Sequence, residues 1–96
     1  MLTGKQRSFL RSLANNIDPI FQIGKGGIND NLIKQVKDAL EARELIKLTM
    51  LKNASSDLRE VCNEIADITG AETVQVIGNR FVLYKESREN KLIELP

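Results

Sequence analysis

Apolar positions recur at helical spacing in three stretches of this chain, and they alternate or run together in four others. That pattern predicts three helices and four strands. The first helical stretch follows Thr3-Gly4-Lys5-Gln6, a capping-box pattern in which the threonine hydroxyl accepts from the glutamine amide while the glutamine side chain reaches back. It predicts a helix from Gly4 to Asn15 or Asn16, with Phe9, Leu10 and Leu13 on one face and Arg7 and Arg11 together on the other. Asp18-Pro19 then delivers the chain into a short strand, Ile20–Ile23. A second helix from Asn31 to Arg43, capped by Asn29 or Asp30, buries Leu32, Ile33, Val36, Ala39 and Leu40. On its far side Lys34 with Asp38 and Lys37 with Glu41 are spaced to pair.

Leu45 to Leu51 reads as a strand with Ile46, Leu48 and Met50 on one face and Leu45, Lys47, Thr49 and Leu51 on the other. Both faces carry apolar residues, which fits an interior strand. After the loop Asn53-Ala54-Ser55-Ser56, a third helix runs from Asp57 to Thr69 and stops at Gly70. Its outward stripe, Asp57, Glu60, Glu64 and Asp67, is acidic. Glu72–Ile77 and Arg80–Lys85 alternate around Gly78-Asn79, two residues suited to a tight hairpin turn with positive φ. Counting outward pairs Ile77 with Arg80, Val76 with Phe81, Gln75 with Val82, Val74 with Leu83 and Thr73 with Tyr84, so Val74, Val76, Phe81 and Leu83 are expected on the core face. The same reasoning places Phe9 and Phe21 in the core. For Glu86–Pro96 the pattern suggests an ordered tail over the sheet but gives it no position. The order αβαβαββ predicts an α/β (α+β) fold, a small four-stranded mixed sheet packed by three helices.

Between the first strand and the second helix lies Gly24-Lys25-Gly26-Gly27. Glycines at a strand-to-helix turn let backbone amides approach a ligand, and the first amides of the helix have no partner within it. Such a turn suits an anion, and Lys25 adds positive charge, so the stretch reads as a phosphate loop for a nucleotide or a nucleic-acid backbone. The bland alternative is glycines that only permit a tight turn. The nucleotide patterns fit poorly: G-x-x-x-x-G-K-[ST] is missing, and Asn29 stands where a dinucleotide fingerprint needs its last glycine. Gly-x-x-Gly at the mouth of a helix does match the loop with which one class of RNA-binding modules clamps the backbone.

Composition narrows the choice further. At 96 residues, 42% hydrophobic and 28% charged, one domain spanning 1–96 is expected. Nothing marks the chain for a membrane or for export, so a cytosolic protein is expected. It has no histidine and one cysteine, Cys62, on the apolar face of the third helix. These absences remove the usual zinc sites and nucleophile pairs, so neither an enzyme, a metal nor a cofactor is expected. The net charge is +1, unevenly spread: residues 1–52 hold nine Lys/Arg against five Asp/Glu, and residues 53–96 hold five against eight. A polyanion would meet the N-terminal half.

Several separated stretches together resemble the YhbY-like, single-domain bacterial members of the CRM (chloroplast RNA splicing and ribosome maturation) family. They are the basic first helix with Leu10 and Leu13, the loop Ile23-Gly24-Lys25-Gly26-Gly27-Ile28, Glu44-Leu45-Ile46-Lys47, and Gly70-Ala71 followed by Val74-Gln75-Val76-Ile77-Gly78 and Val82-Leu83-Tyr84-Lys85. The resemblance implies an RNA-binding domain similar in architecture to the C-terminal domain of bacterial translation initiation factor three. It also implies association with ribosomal RNA in precursors of the large ribosomal subunit, and assistance in ribosome assembly. Relatives often carry a basic residue directly after the hairpin glycine, where this chain has Asn79 followed by Arg80.

The expected RNA-binding residues are Gly24, Lys25, Gly26 and Gly27 in the loop, Arg7 and Arg11 on the first helix, Lys34 beside the loop, and Arg80, Tyr84 and Lys85 near the hairpin. Each has a plainer reading. The arginines could be a solvated face, and Tyr84 could pack rather than stack on a base. Two rivals stay open: a small phosphate- or nucleotide-binding enzyme, and a protein-binding adaptor that uses the acidic third helix on the ribosome. A monomer is favoured.

Overall fold

In a computed structural model, which describes residues 2–24, 26–51 and 57–96, the elements follow the expected order. They are α1 (Gly4–Ala14), β1 (Phe21–Ile23), α2 (Asp30–Arg43), β2 (Leu45–Met50), α3 (Leu58–Thr69), β3 (Glu72–Ile77) and β4 (Arg80–Tyr84). Local chemistry sets their ends. The Thr3 hydroxyl accepts from the Gln6 amide and the Gln6 side chain accepts from the Thr3 amide, both at 3.1 Å, which completes the capping box. Asn29 rather than Asp30 caps α2, its Oδ1 accepting from the Leu32 amide at 2.8 Å. Asp57 caps α3, and Gly70 ends it in the left-handed conformation at φ 76°. The loop expected at 53–56 lies outside the described residues.

The four strands form one mixed sheet in the order β1-β2-β4-β3. β1 runs parallel to β2, and β4 is antiparallel to both its neighbours, β2 and β3. β4 is thus inserted between β2 and β3, which point the same way without touching as neighbours.

Helices cover both sides of the sheet. α2 and α3 pack on the face bearing Ile46, Leu48, Phe81 and Leu83, and α1 packs on the face bearing Leu45, Val74, Val82 and Tyr84. Burial in both layers is why β2 carries apolar residues on both faces. Phe81 is fully buried and Phe21 partly so, but Phe9 is 37% exposed. Leu10 and Ala14 are the buried residues of α1, so the apolar stripe is rotated away from Phe9.

A register shift between Thr73 and Gln75 corrects the hairpin expectation. Ile77–Arg80, Val76–Phe81 and Gln75–Val82 pair as counted from the turn. Beyond the irregularity Thr73 meets Leu83 and Glu72 meets Tyr84, one residue off the count. A bulge adds a residue to one strand and so reverses the face of the residues beyond it. Val74 therefore joins the α1 layer instead of sharing a face with Phe81 and Leu83. Of the two turn residues only Gly78 has positive φ, at 58°. Asn79 ties the hairpin to the end of β2: its carbonyl accepts from the Met50 amide at 2.7 Å and its Nδ2 donates to the Met50 carbonyl at 3.3 Å.

The tail is held by two carboxylates of α2 and its cap. Glu44 is fully buried, with φ 67°, and accepts from the amides of Ser87 (2.8 Å), Leu92 (2.6 Å) and Ile93 (2.7 Å). Glu41, expected to pair with Lys37, accepts instead from the Ser87 hydroxyl (2.6 Å) and the amides of Arg88 (3.0 Å) and Glu89 (3.1 Å). Burial pushes the Glu44 carboxyl up, but the three amides and nearby Lys91 outweigh it and hold the group below the ordinary glutamate range. The Arg88 amide, the Ser87 hydroxyl and the Glu89 amide lower Glu41 in the same way. So clasped, the tail lays Ile93 and Leu95 against the α1 layer.

Candidate nucleic-acid interface

At the end of β1 the chain turns through the glycines, the Gly27 amide donating to the Gly24 carbonyl at 3.0 Å. Gly27 sits at φ 62°, a conformation that side-chain-bearing residues rarely adopt, whereas Gly26 is exposed and has open space where a side chain would stand. Lys25 lies outside the described residues. The turn walls a hollow of about 270 Å³ shared with Gln22, Asn29, Asn31 and Gln35. Its described walls are side-chain amides, glycine backbone, Ile23 and Leu32, without a charged side chain. Gly24 is partly enclosed by Leu51, whose side chain would lie 3.4 Å from a Cβ there.

The helix end beside the turn is not wholly vacant. Asn29 already satisfies the Leu32 amide, and Asp30 puts a carboxylate in the first turn of α2. An anion at this end would have the turn amides as its donors. Among the described residues no group of three or more Cys, Asp or Glu could hold a metal ion.

The expected cations are not brought to one place. Arg11 is exposed on α1 and Lys34 is exposed on α2, and those helices pack on opposite faces of the sheet. Arg7, expected beside Arg11 on an outward face, is half-buried and donates to the Thr73 carbonyl of β3. That carbonyl lies at the bulge, where the ladder cannot satisfy every group, so the guanidinium serves the fold. Lys85 donates from Nζ to the Thr69 carbonyl at 2.9 Å, capping the C-terminus of α3.

Tyr84 is 5% exposed among Leu10, Ala14, Leu45, Val74 and Val82, which removes it as a surface for stacking. Its phenol is pushed up by burial first and then by Glu44 and Glu86. Cys62 is buried, its Sγ 3.6 Å from the Thr73 hydroxyl, and burial pushes its thiol up, as an inert core cysteine requires.

Arg80 alone of the hairpin candidates is exposed. It lines a second hollow, of about 110 Å³, with Asn15, Lys47, Gln75, Ile77 and Val82. Lys47 and Gln75 lie in stretches that carry the family resemblance, but alternation marked them only as the polar side of their strands, so neither was singled out as a site residue.

The chain is 58% identical over 96 residues to the "Probable RNA-binding protein YqeI" of Bacillus subtilis, covering 100% of both chains. It is 35% identical over 95 residues to an RNA-binding protein of Haemophilus influenzae, covering 99% of this chain and 95% of that one. Its fold matches the solution structure of a hypothetical Staphylococcus aureus protein with a TM-score of 0.82 and 61% identity, covering 100% of both chains. Residues 2–85 match the CRS1 / YhbY (CRM) domain, and the chain belongs to that family.

Proposed function

We propose that this protein binds RNA by capturing its sugar-phosphate backbone at the glycine turn, and that it does so on precursors of the large ribosomal subunit during ribosome assembly. The observation that carries the reading is the open turn at Gly26 and Gly27, at the mouth of α2, in a chain of the CRM family whose relatives are named RNA-binding proteins. The turn amides and Lys25 hold phosphates; Arg11 and Lys34 add charge on either side of the sheet, and Arg80 extends it toward the hairpin. Arg7, Tyr84 and Lys85 are assigned to packing. The acidic stripe of α3, exposed at Asp57, Glu60, Glu64 and Asp67, repels the polymer. The protein acts without a metal or cofactor and as no enzyme, in the cytoplasm.

The test is a salt titration of binding to a large-subunit ribosomal RNA fragment. Each lost phosphate contact removes about 0.7 from the log–log slope for a single strand. Charge reversal, Arg11→Glu with Lys25→Glu, is expected to lower both affinity and slope, and an unchanged titration overturns the reading.

A further inference from the structure

We propose that the half of the sheet face left open by α1 is a second RNA subsite, which receives unpaired bases of a single strand whose backbone is held at the glycine turn. This rests on the function proposed above and specifies its substrate as single-stranded.

The strand registers place the subsite. Gln22 of β1 pairs with Thr49 of β2, Thr49 with Arg80 of β4, and Arg80 with Ile77 of β3. Paired residues share a face, so Gln22, Thr49, Arg80 and Ile77 form one row across the whole sheet. The adjacent row is Lys47, Val82 and Gln75. Val82 lies under α1, which ends at Ala14, and beyond that end the first row is open: Gln22 and Arg80 are exposed and Ile77 is 61% exposed.

Three features favour single-stranded RNA as the occupant. Lys47 and Arg80 are the charged residues in the hollow beside the end of α1, and both are cationic, while the acidic stripe of α3 lies across the sheet. Lys47 also lines a further cleft, whose wall it shares with the carboxylate of Asp18. The other polar groups are the amides of Asn15, Gln22 and Gln75 and the Thr49 hydroxyl, which both donate and accept and so suit base edges. Finally, Gln22 also lines the hollow at the glycine turn, so this residue of the edge strand β1 belongs both to the row and to the turn. A four-stranded sheet offers room for about two or three bases. Their faces would lie on the Ile77 side chain and the Arg80 guanidinium. A duplex cannot use this row, because its base faces are stacked on one another and its Watson–Crick edges are paired.

The experiment measures fluorescence anisotropy with labelled single-stranded oligouridylate, oligoadenylate and oligocytidylate and an RNA duplex of equal length. Lys47→Ala with Arg80→Ala is expected to weaken single-strand binding about tenfold, to weaken duplex binding less, and to reduce the single-strand salt slope by up to about 1.4, about 0.7 for each cation removed. Gln22→Ala with Gln75→Ala is expected to flatten the preference among the three oligonucleotides and leave the slope alone. On the unmodified protein, the amide resonances of Thr49, Ile77 and Arg80 are expected to shift on titration with the preferred oligonucleotide, a readout independent of any variant's folding. No shift there, no preference in the unmodified protein, or equal losses on duplex and single strand overturns the subsite. If both double variants bind as the unmodified protein does while Arg11→Glu with Lys25→Glu does not, the subsite falls and the backbone-capture reading stands. If the unmodified protein binds none of these RNAs, both fall.

Discussion

The two ends of α2 use the same chemical parts in opposite ways. At its N-terminus backbone amides face a shallow open hollow at the glycine turn; at its C-terminus the Glu41 and Glu44 carboxylates are enclosed by amides of the tail. A carboxylate that already accepts three hydrogen bonds from its own chain is committed to the fold and contributes to stability. At the glycine turn the Gly27 amide is taken by the Gly24 carbonyl, but the open space beside Gly26 leaves room for an acceptor from outside. The contrast separates charge that bears on folding from charge that remains for binding. By the same criterion Arg7 and Lys85 are committed to carbonyls, whereas Arg11, Lys34 and Arg80 stand in solvent.

The largest expected break of this contrast is Glu44→Ala. It leaves three tail amides without their acceptor and is expected to cost about 3–5 kcal/mol in urea denaturation, since each unsatisfied buried donor costs about 1–3 kcal/mol and part of the tail can rehydrate. Glu44→Gly separates the clasp from the backbone. Because Glu44 sits at φ 67°, the glycine variant is expected to be more stable than the alanine variant by roughly 1 kcal/mol, and equal losses would remove backbone strain from the account.

At the other end, Gly27→Val places a β-branched side chain at φ 62° and is expected to lose about 1–2 kcal/mol and to weaken RNA binding together. Asn29→Ala removes the α2 cap and is expected to cost about 1 kcal/mol in the same assay. Gly26→Ala meets no neighbouring atom, so its stability is expected to stay within about 0.5 kcal/mol of the parent. Its effect on RNA affinity then reports the approach of the backbone alone.

Acid provides a reversible version of the first break. The folded Glu41 and Glu44 carboxyls titrate below the ordinary glutamate range, so their contribution is complete above the unfolded value and is lost as pH falls through the folded value. The amide resonances of Ser87, Leu92 and Ile93 are expected to move toward unstructured positions in that acid window, before those of β4. In Glu44→Gln the Leu92 and Ile93 resonances are expected to lose this dependence; a parent protein whose tail amides ignore pH would show that the clasp does not depend on ionisation.

Much of the fold was legible because its signals are local. Helix and strand periods, the Thr3–Gln6 capping box, the Gly70 stop and the hairpin at Gly78-Asn79 are relations between residues a few positions apart. The glycine turn was legible for the same reason. The errors share a cause as well. Phe9 falls within the periodic apolar group of α1, yet the choice of buried face belongs to the sheet beneath it. Tyr84 and Lys85 look like a site next to a hairpin, but only packing shows that the ring is enclosed and that the ammonium caps another element.

The sequence by itself determined which segments become helices and strands, where most of them stop, and that a glycine-rich turn opens onto α2, because propensity, capping and periodicity act within a turn or two of chain. Only the tertiary structure decided the insertion of β4 between β2 and β3, the face taken by Val74 beyond the bulge, and the burial of Glu44 under the tail. Each of these matches groups distant along the chain: a ladder that gains one residue, or carboxylates that meet amides more than 40 positions away. No local period records such partners; they exist only once the layers have closed.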